Sequence, residues 1–223
     1  MSGFGYRNLG FGGGNYVAVP YDIPYSVRIE DNDSTYLSIT PGSASNRKTW
    51  TWSAWVKRGS NFANSLFLFG GGTTGRTDIY FDDGDNLNIA QYNGMQLEPN
   101  AVFRDASAWY HIVIAMDTTQ STESNRTKMY INGELQTSFK TATYPTQDLD
   151  LGINDTVVHR LGARGYNTSN TFEGYMAEVH FIDGTALTSA TFGETGDYGE
   201  WKAKKVSGVT YGTNGFYLDF KLS

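Results

Sequence analysis

The chain has 223 residues, a formal charge of −6, 18% charged residues and no cysteine, so neither disulfides nor thiolate metal sites contribute to it. An acidic chain with no run of basic residues is not built to neutralise a phosphate backbone, which argues against nucleic-acid binding. No apolar stretch reaches the roughly 18 residues that a membrane helix requires, while 15 Tyr, 13 Phe, 5 Trp and 26 Gly suit pleated sheets joined by tight turns.

Residues 1–25 stand apart from the rest. Gly3, Gly5, Gly10, Gly12, Gly13 and Gly14 are interleaved with Phe4, Tyr6, Phe11 and Tyr16, and neither a period of 2 nor one of 3.6 runs through them. Two readings stay open. One is an unstructured tail; the other is an arm that docks on a partner through Phe4, Tyr6, Phe11 and Tyr16, with glycine allowing close backbone approach. The opening has no apolar core of the kind a secretory signal carries.

Strand signals begin near Ser26. Val27 and Ile29 alternate with Arg28 and Glu30, and Tyr36, Leu37 and Ile39 follow a polar turn. Across Thr49–Lys57, Trp50, Trp52, Ala54 and Val56 alternate with Thr51, Ser53, Trp55 and Lys57, which predicts a strand with one wholly apolar face. Leu66–Phe69 is a short apolar run that Gly70–Gly72 is expected to close as a turn. Asp78–Asp82 and Asn86–Tyr92 flank Asp83-Gly84, a hairpin signal.

Trp109–Met116 reads as a long apolar strand, and Asp117–Arg126 as a polar loop. Lys128–Ile131, then Asn132-Gly133, then Glu134-Leu135 is the clearest hairpin in the chain. His159–Ala163, Tyr175–Ile182 and Gly215–Phe220 complete the strands, and Thr188–Phe192 is the best helical signal, a single turn. Strands at short intervals between turn signals predict an all-β fold of two packed antiparallel sheets, a β-sandwich with an extended Gly/aromatic-rich N-terminal arm, rather than βαβ units. The expected division is an arm over residues 1–25 and one sandwich domain over 26–223.

Three segments carry a more specific likeness: TWTWSAWVKRG from Thr49, then WYHIVIAMDTT with KMYINGELQ, then HRLGARG with FEGYMAEVHFIDGTALTSATFG. In this order they resemble the concanavalin A-like lectin/glucanase, or laminin G-like, superfamily, which implies a jelly-roll sandwich. The stretch from Tyr25 to Gly59 and the tail from Phe192 to Phe220 resemble a narrower group of lectin-like structural proteins from tailed, especially marine, bacteriophages. That likeness implies a non-enzymatic virion protein, a capsid decoration or tail-associated component attached through its arm to major capsid or tail proteins. The alternative it leaves open is a receptor- or carbohydrate-binding tail adhesin that recognises host surface glycans. Absence of heptads and of internal repeats, which a fibre shaft needs, favours decoration, and a homo-oligomer would suit such a particle.

Some relatives implied by the resemblance are glycoside hydrolases with Glu-x-Asp-x-x-Glu on one strand, a spacing that puts paired carboxylates on one face. No such string occurs: Glu178 has His180 at i+2 and no second acid. His111, His159 and His180 are read as structural, with His159 and His180 placed at the beginning or end of strands, and no nucleophile elbow or phosphate loop is present. The densest acidic cluster, Asp82, Asp83, Asp85 and Asn86, offers oxygens suited to calcium, yet reads more economically as turn chemistry, so no cofactor is expected. For a glycan site, Tyr92, Asn93, Tyr166 and Asn167, with Asn170, supply aromatic platforms and amides at loop ends.

Overall fold

The computed structural model describes residues 21–31, 35–59, 65–73, 75–92, 94–168 and 170–221. Phe4, Tyr6, Phe11, Tyr16 and Asn93 lie outside the described residues.

Two seven-stranded antiparallel sheets face each other. The first runs in spatial order β1 (Val27–Ile29), β13 (Gly174–Asp183), β3 (Thr49–Arg58), β8 (Tyr110–Asp117), β9 (Thr127–Ile131) and β10 (Glu134–Leu135), with β16 (Phe216–Leu218) also paired to β13. The second runs β11 (Phe139–Thr143), β7 (Met95–Pro99), β6 (Leu87–Gln91), β5 (Thr77–Phe81), β4 (Leu66–Gly71), β12 (His159–Leu161) and β2 (Leu37–Ile39). A separate ribbon pairs β14 (Gly193–Thr195) with β15 (Trp201–Ala203). This two-sheet antiparallel sandwich is consistent with a jelly roll.

The alternation in β3 is realised as expected: Trp50, Trp52, Ala54 and Val56 are all 0% exposed and face the core. Trp52 stacks on Phe69 of the opposite sheet, centroids 6.2 Å apart, and Phe69 meets Phe181 at 5.6 Å. Aromatic pairs of this kind contribute about 0.5–1.5 kcal/mol each beyond their buried area. The Asn132-Gly133 turn joins β9 to β10 with φ of 47° and 85°, the left-handed pair that such a two-residue hairpin requires. A Cβ on Gly133 would also collide with the Trp201 ring.

A second apolar cluster lies on the outer face of the first sheet. Val113, Ala115 and Tyr130 are covered there by Leu187, Phe192, Val206, Val209 and Tyr211. Strand β8 is thereby buried on both faces, which is why Trp109–Met116 reads as a continuous apolar run. The same face carries Tyr21–Ser26, which runs beside Trp55, Trp109, Lys202 and Ala203.

Three local expectations change. Gly70 and Gly71 are strand residues of β4, and only Gly72, at φ 97°, belongs to the bend that follows. His180 sits inside β13 rather than at a strand end. Strands β7, β11, β14 and β15 lie beyond the expected set; β11 is largely exposed, while β7, although Met95 and Leu97 alternate with Gln96 and Glu98, is a short run that ends in Pro99.

Candidate functional site

The outer face of the second sheet holds a cleft of about 480 Å³. Strand register builds its floor: Gly70 pairs Asp78, Asp78 pairs Ala90, Ala90 pairs Gln96, and Gln96 pairs Thr143. Because side chains alternate along each strand, this row points outward while Ile79, Ile89 and Leu97 point into the core. Two of its five members are glycine and alanine, which leaves space above the sheet. One wall is aromatic, with Phe67 stacked on Tyr80 at 4.8 Å.

Two arginines and one buried acid supply the charge. Asp78 is 4% exposed and accepts hydrogen bonds from the Gly165 N–H at 2.9 Å and Arg76 Nε at 3.2 Å. Burial pushes its carboxyl above the usual range, against the pull of the Gly165 N–H and of Arg76. The Arg76 guanidinium carbon lies 4.6 Å from the Tyr92 ring centroid and 4.5 Å from that of Tyr166. Arg164 lies 4.2 Å over Phe67, and its Nη1 donates to the Tyr166 hydroxyl at 3.2 Å. Cation–π contacts of this kind contribute about 0.5–1 kcal/mol at exposed sites.

Of the residues singled out from the sequence, Tyr92 lines the cleft and Tyr166 reaches it through Arg76. They are 54% and 40% exposed, so both rings remain accessible. Asn167 and Asn170 lie in the loop after β12 and do not line the cleft; the Asn170 carbonyl accepts the Phe67 N–H. Sequence reasoning missed Arg76, Asp78, Arg164, Phe67 and Gln96. The Arg76-Thr-Asp78 spacing, which puts opposite charges on one face of a strand, was the available signal.

The acidic cluster serves the hairpin and a buried ion pair. Asp82 Oδ1 accepts from the Gly84 and Asn86 N–H groups at 3.0 and 2.8 Å, and its Oδ2 accepts from Asn88 Nδ2 at 3.0 Å. Asp85, at φ 68°, accepts from Arg58 Nη1 at 3.1 Å and Arg104 Nε at 2.8 Å. Among the described residues no group of three or more His, Asp or Glu side chains is arranged to hold a metal.

The histidines are all buried. Ser53 Oγ lies 3.0 Å from His111 Nε2, the spacing of a nucleophile and its base, but the Trp201 Nε1–H donates to His111 Nδ1 at 2.9 Å. Nδ1 is therefore the lone-pair nitrogen, Nε2 carries the hydrogen, and the ring donates to Ser53 instead of accepting from it. Burial, then the proximity of His180, pulls the pKa of His111 down to about 3. Glu178, at φ 47° where the register of β13 shifts, accepts from the Tyr217 hydroxyl at 2.7 Å and has His180 Nε2 at 3.6 Å. Its burial favours the neutral acid, but hydrogen bonds from His180, Tyr217 and Tyr21 outweigh this and hold the carboxyl below its usual range.

Comparison with solved structures returns the same architecture. Domain 4 of AbnA, an extracellular arabinanase of Geobacillus stearothermophilus solved with arabinotriose, superimposes with a TM-score of 0.52 at 17% identity over 74% of this chain and 73% of that one. A Bacteroides ovatus protein assigned to carbohydrate binding gives 0.48 at 20% identity over 69% of this chain, and mouse laminin α1 domains LG4-5 give 0.47 at 12% over 70%. The chain spans 42% and 40% of the length of these last two. At 17% identity the likeness to the arabinanase domain is one of fold alone. No curated protein matches the chain in sequence. Residues 31–191 match the family profile described as the concanavalin A-like lectin/glucanases superfamily, and the chain belongs to that superfamily.

Proposed function

We propose that the domain binds carbohydrate in the cleft of the second sheet, as a lectin-like module and not as a hydrolase. The observation that carries this reading is the Tyr92–Arg76–Tyr166 stack at the cleft mouth. It presents two accessible rings as platforms for the apolar face of a sugar, beside fixed polar groups such as Gln96 that can take its hydroxyls. Asp78 is the only carboxylate among the described residues lining the cleft, whereas glycoside hydrolysis generally employs a pair. Purified protein on a glycan array should bind a defined set of sugars, and Tyr92→Ala or Tyr166→Ala should remove that binding. An array with no specific binder would overturn the reading.

We place this binding on a bacteriophage particle, with the N-terminal arm as the attachment. The support for that placement is the sequence resemblance of residues 25–59 and 192–220. Phe4, Tyr6, Phe11 and Tyr16 are the proposed anchors, and deleting residues 1–15 should release the protein from particles without unfolding it. Normal incorporation of the truncated protein would sink the attachment. Electron microscopy of particles separates capsid decoration from a tail adhesin by copy number and position.

A further inference from the structure

The charge of the cleft departs from that of the chain. Against a formal charge of −6 for the whole protein, the charged residues lining the cleft, among the described residues, are Arg76, Arg164 and Asp78. Asp78 is buried and engaged by the Gly165 N–H and Arg76 Nε. Neither Nη of Arg76 donates a hydrogen bond within the described residues, and Arg164 has one such bond, from Nη1 to a neutral phenol. Arg164 Nε is buried with no hydrogen-bond partner there, an arrangement that is unfavourable when nothing compensates it.

We propose that the cleft selects acidic sugars, a uronate, a sialate or a sulfated residue, whose anionic group is received by Arg76 and Arg164. This rests on the carbohydrate reading above and names the ligand class of the same site. A guanidinium presents parallel N–H donors in a plane, which matches the two oxygens of a carboxylate or sulfate. Here the planes are set in advance: Tyr92 and Tyr166 hold Arg76 from two sides, and Phe67 with the Tyr166 hydroxyl holds Arg164. Pre-setting the donors lowers the ordering cost of binding. A neutral sugar would leave the same donors desolvated and unmatched, so the preference comes from both the gain with an anion and the loss without one.

The test is isothermal titration with matched pairs: sialyllactose and lactose, trigalacturonate and its methyl ester, and a heparin tetrasaccharide with its desulfated form. At least one acidic member should bind ten-fold or more tightly than its neutral counterpart. Arg164→Gln should erase that ratio, and Arg164→Lys should restore part of it. Arg76→Gln is the second variant, with thermal melting run on each to confirm that it folds. Equal affinity within every pair, or a ratio unchanged by Arg164→Gln, overturns the acidic preference while leaving sugar binding in place. Failure of both members of every pair, together with a blank array, overturns the carbohydrate reading as well.

Discussion

Asp78 Oδ1 occupies the space that a side chain on Gly70 would need: a Cβ built there collides with this oxygen and with the Gly165 backbone nitrogen. The Asp78–Gly165 hydrogen bond therefore depends on a bare strand position directly across the register. Gly70→Ala should destabilise the protein by about 1–3 kcal/mol, the usual cost of overpacking, and should weaken ligand binding by moving Asp78 and with it Arg76. Urea unfolding measures the first effect and ligand titration the second. Unchanged stability would show that Asp78 is free to relocate.

Tyr92 and Tyr166 make opposite demands on stability and binding. Both are exposed, so Tyr92→Ala removes little buried area and should cost no more than about 1 kcal/mol of stability, the value of an exposed cation–π contact. Binding should fall ten-fold or more. A large drop in melting temperature with retained binding would reverse the assignment of this ring.

Arg58 has a side chain that is 0% exposed, and the Asp85 carboxylate is its ion-pair partner. Its Nη1 also donates to the Phe103 carbonyl, and its guanidinium carbon lies 4.5 Å over the Phe81 ring. Removing one partner of a buried pair costs about 3–5 kcal/mol, while replacing both with apolar residues is often neutral. Asp85→Ala should thus be severely destabilising, and the double variant Arg58→Met with Asp85→Ala should recover much of the loss. Chemical denaturation of the wild type, Asp85→Ala, Arg58→Met and the double variant closes the cycle.

Acid should unfold this protein in part through His111 and His159. With a folded pKa of about 3 against an ordinary 6.5, His111 stays neutral in the fold while the unfolded chain takes up a proton. Its contribution is fully present above pH 6.5 and is lost progressively as the pH falls towards 3. His159, lowered chiefly by burial, acts in the same direction, and Glu178, held low by its hydrogen bonds, adds a loss below its usual range. Asp78 opposes them, because burial raises its carboxyl and the fold keeps that proton more readily. Urea unfolding between pH 7.5 and 4 should show falling stability, with a shallower slope in His111→Gln. Nitrogen NMR should find the His111 hydrogen on Nε2 throughout this range.

Much of the sandwich was legible because one face of each long strand is dry. Trp50 to Val56 declare the core face of β3, and Asn132-Gly133 declares the β9–β10 hairpin, since few residues tolerate that turn. Short edge strands such as β11 bury little and leave no pattern. The cleft was legible only at its rim. Tyr92 and Tyr166 look like platforms in sequence, but Arg76 and Arg164 gain their meaning from the register of β5 with β4 and β6 and from the loop after β12. Pairings between segments as far apart as residues 78 and 165 leave no local periodicity to read.

The segment Tyr21–Ser26 lies on the outer face of the first sheet, and the cleft on the outer face of the second. Copies held on a common support by that first-sheet face would all turn the cleft towards the surroundings. Each site then raises the effective concentration of ligand for its neighbours, so millimolar affinity at one cleft can become durable attachment across many, without any added contact.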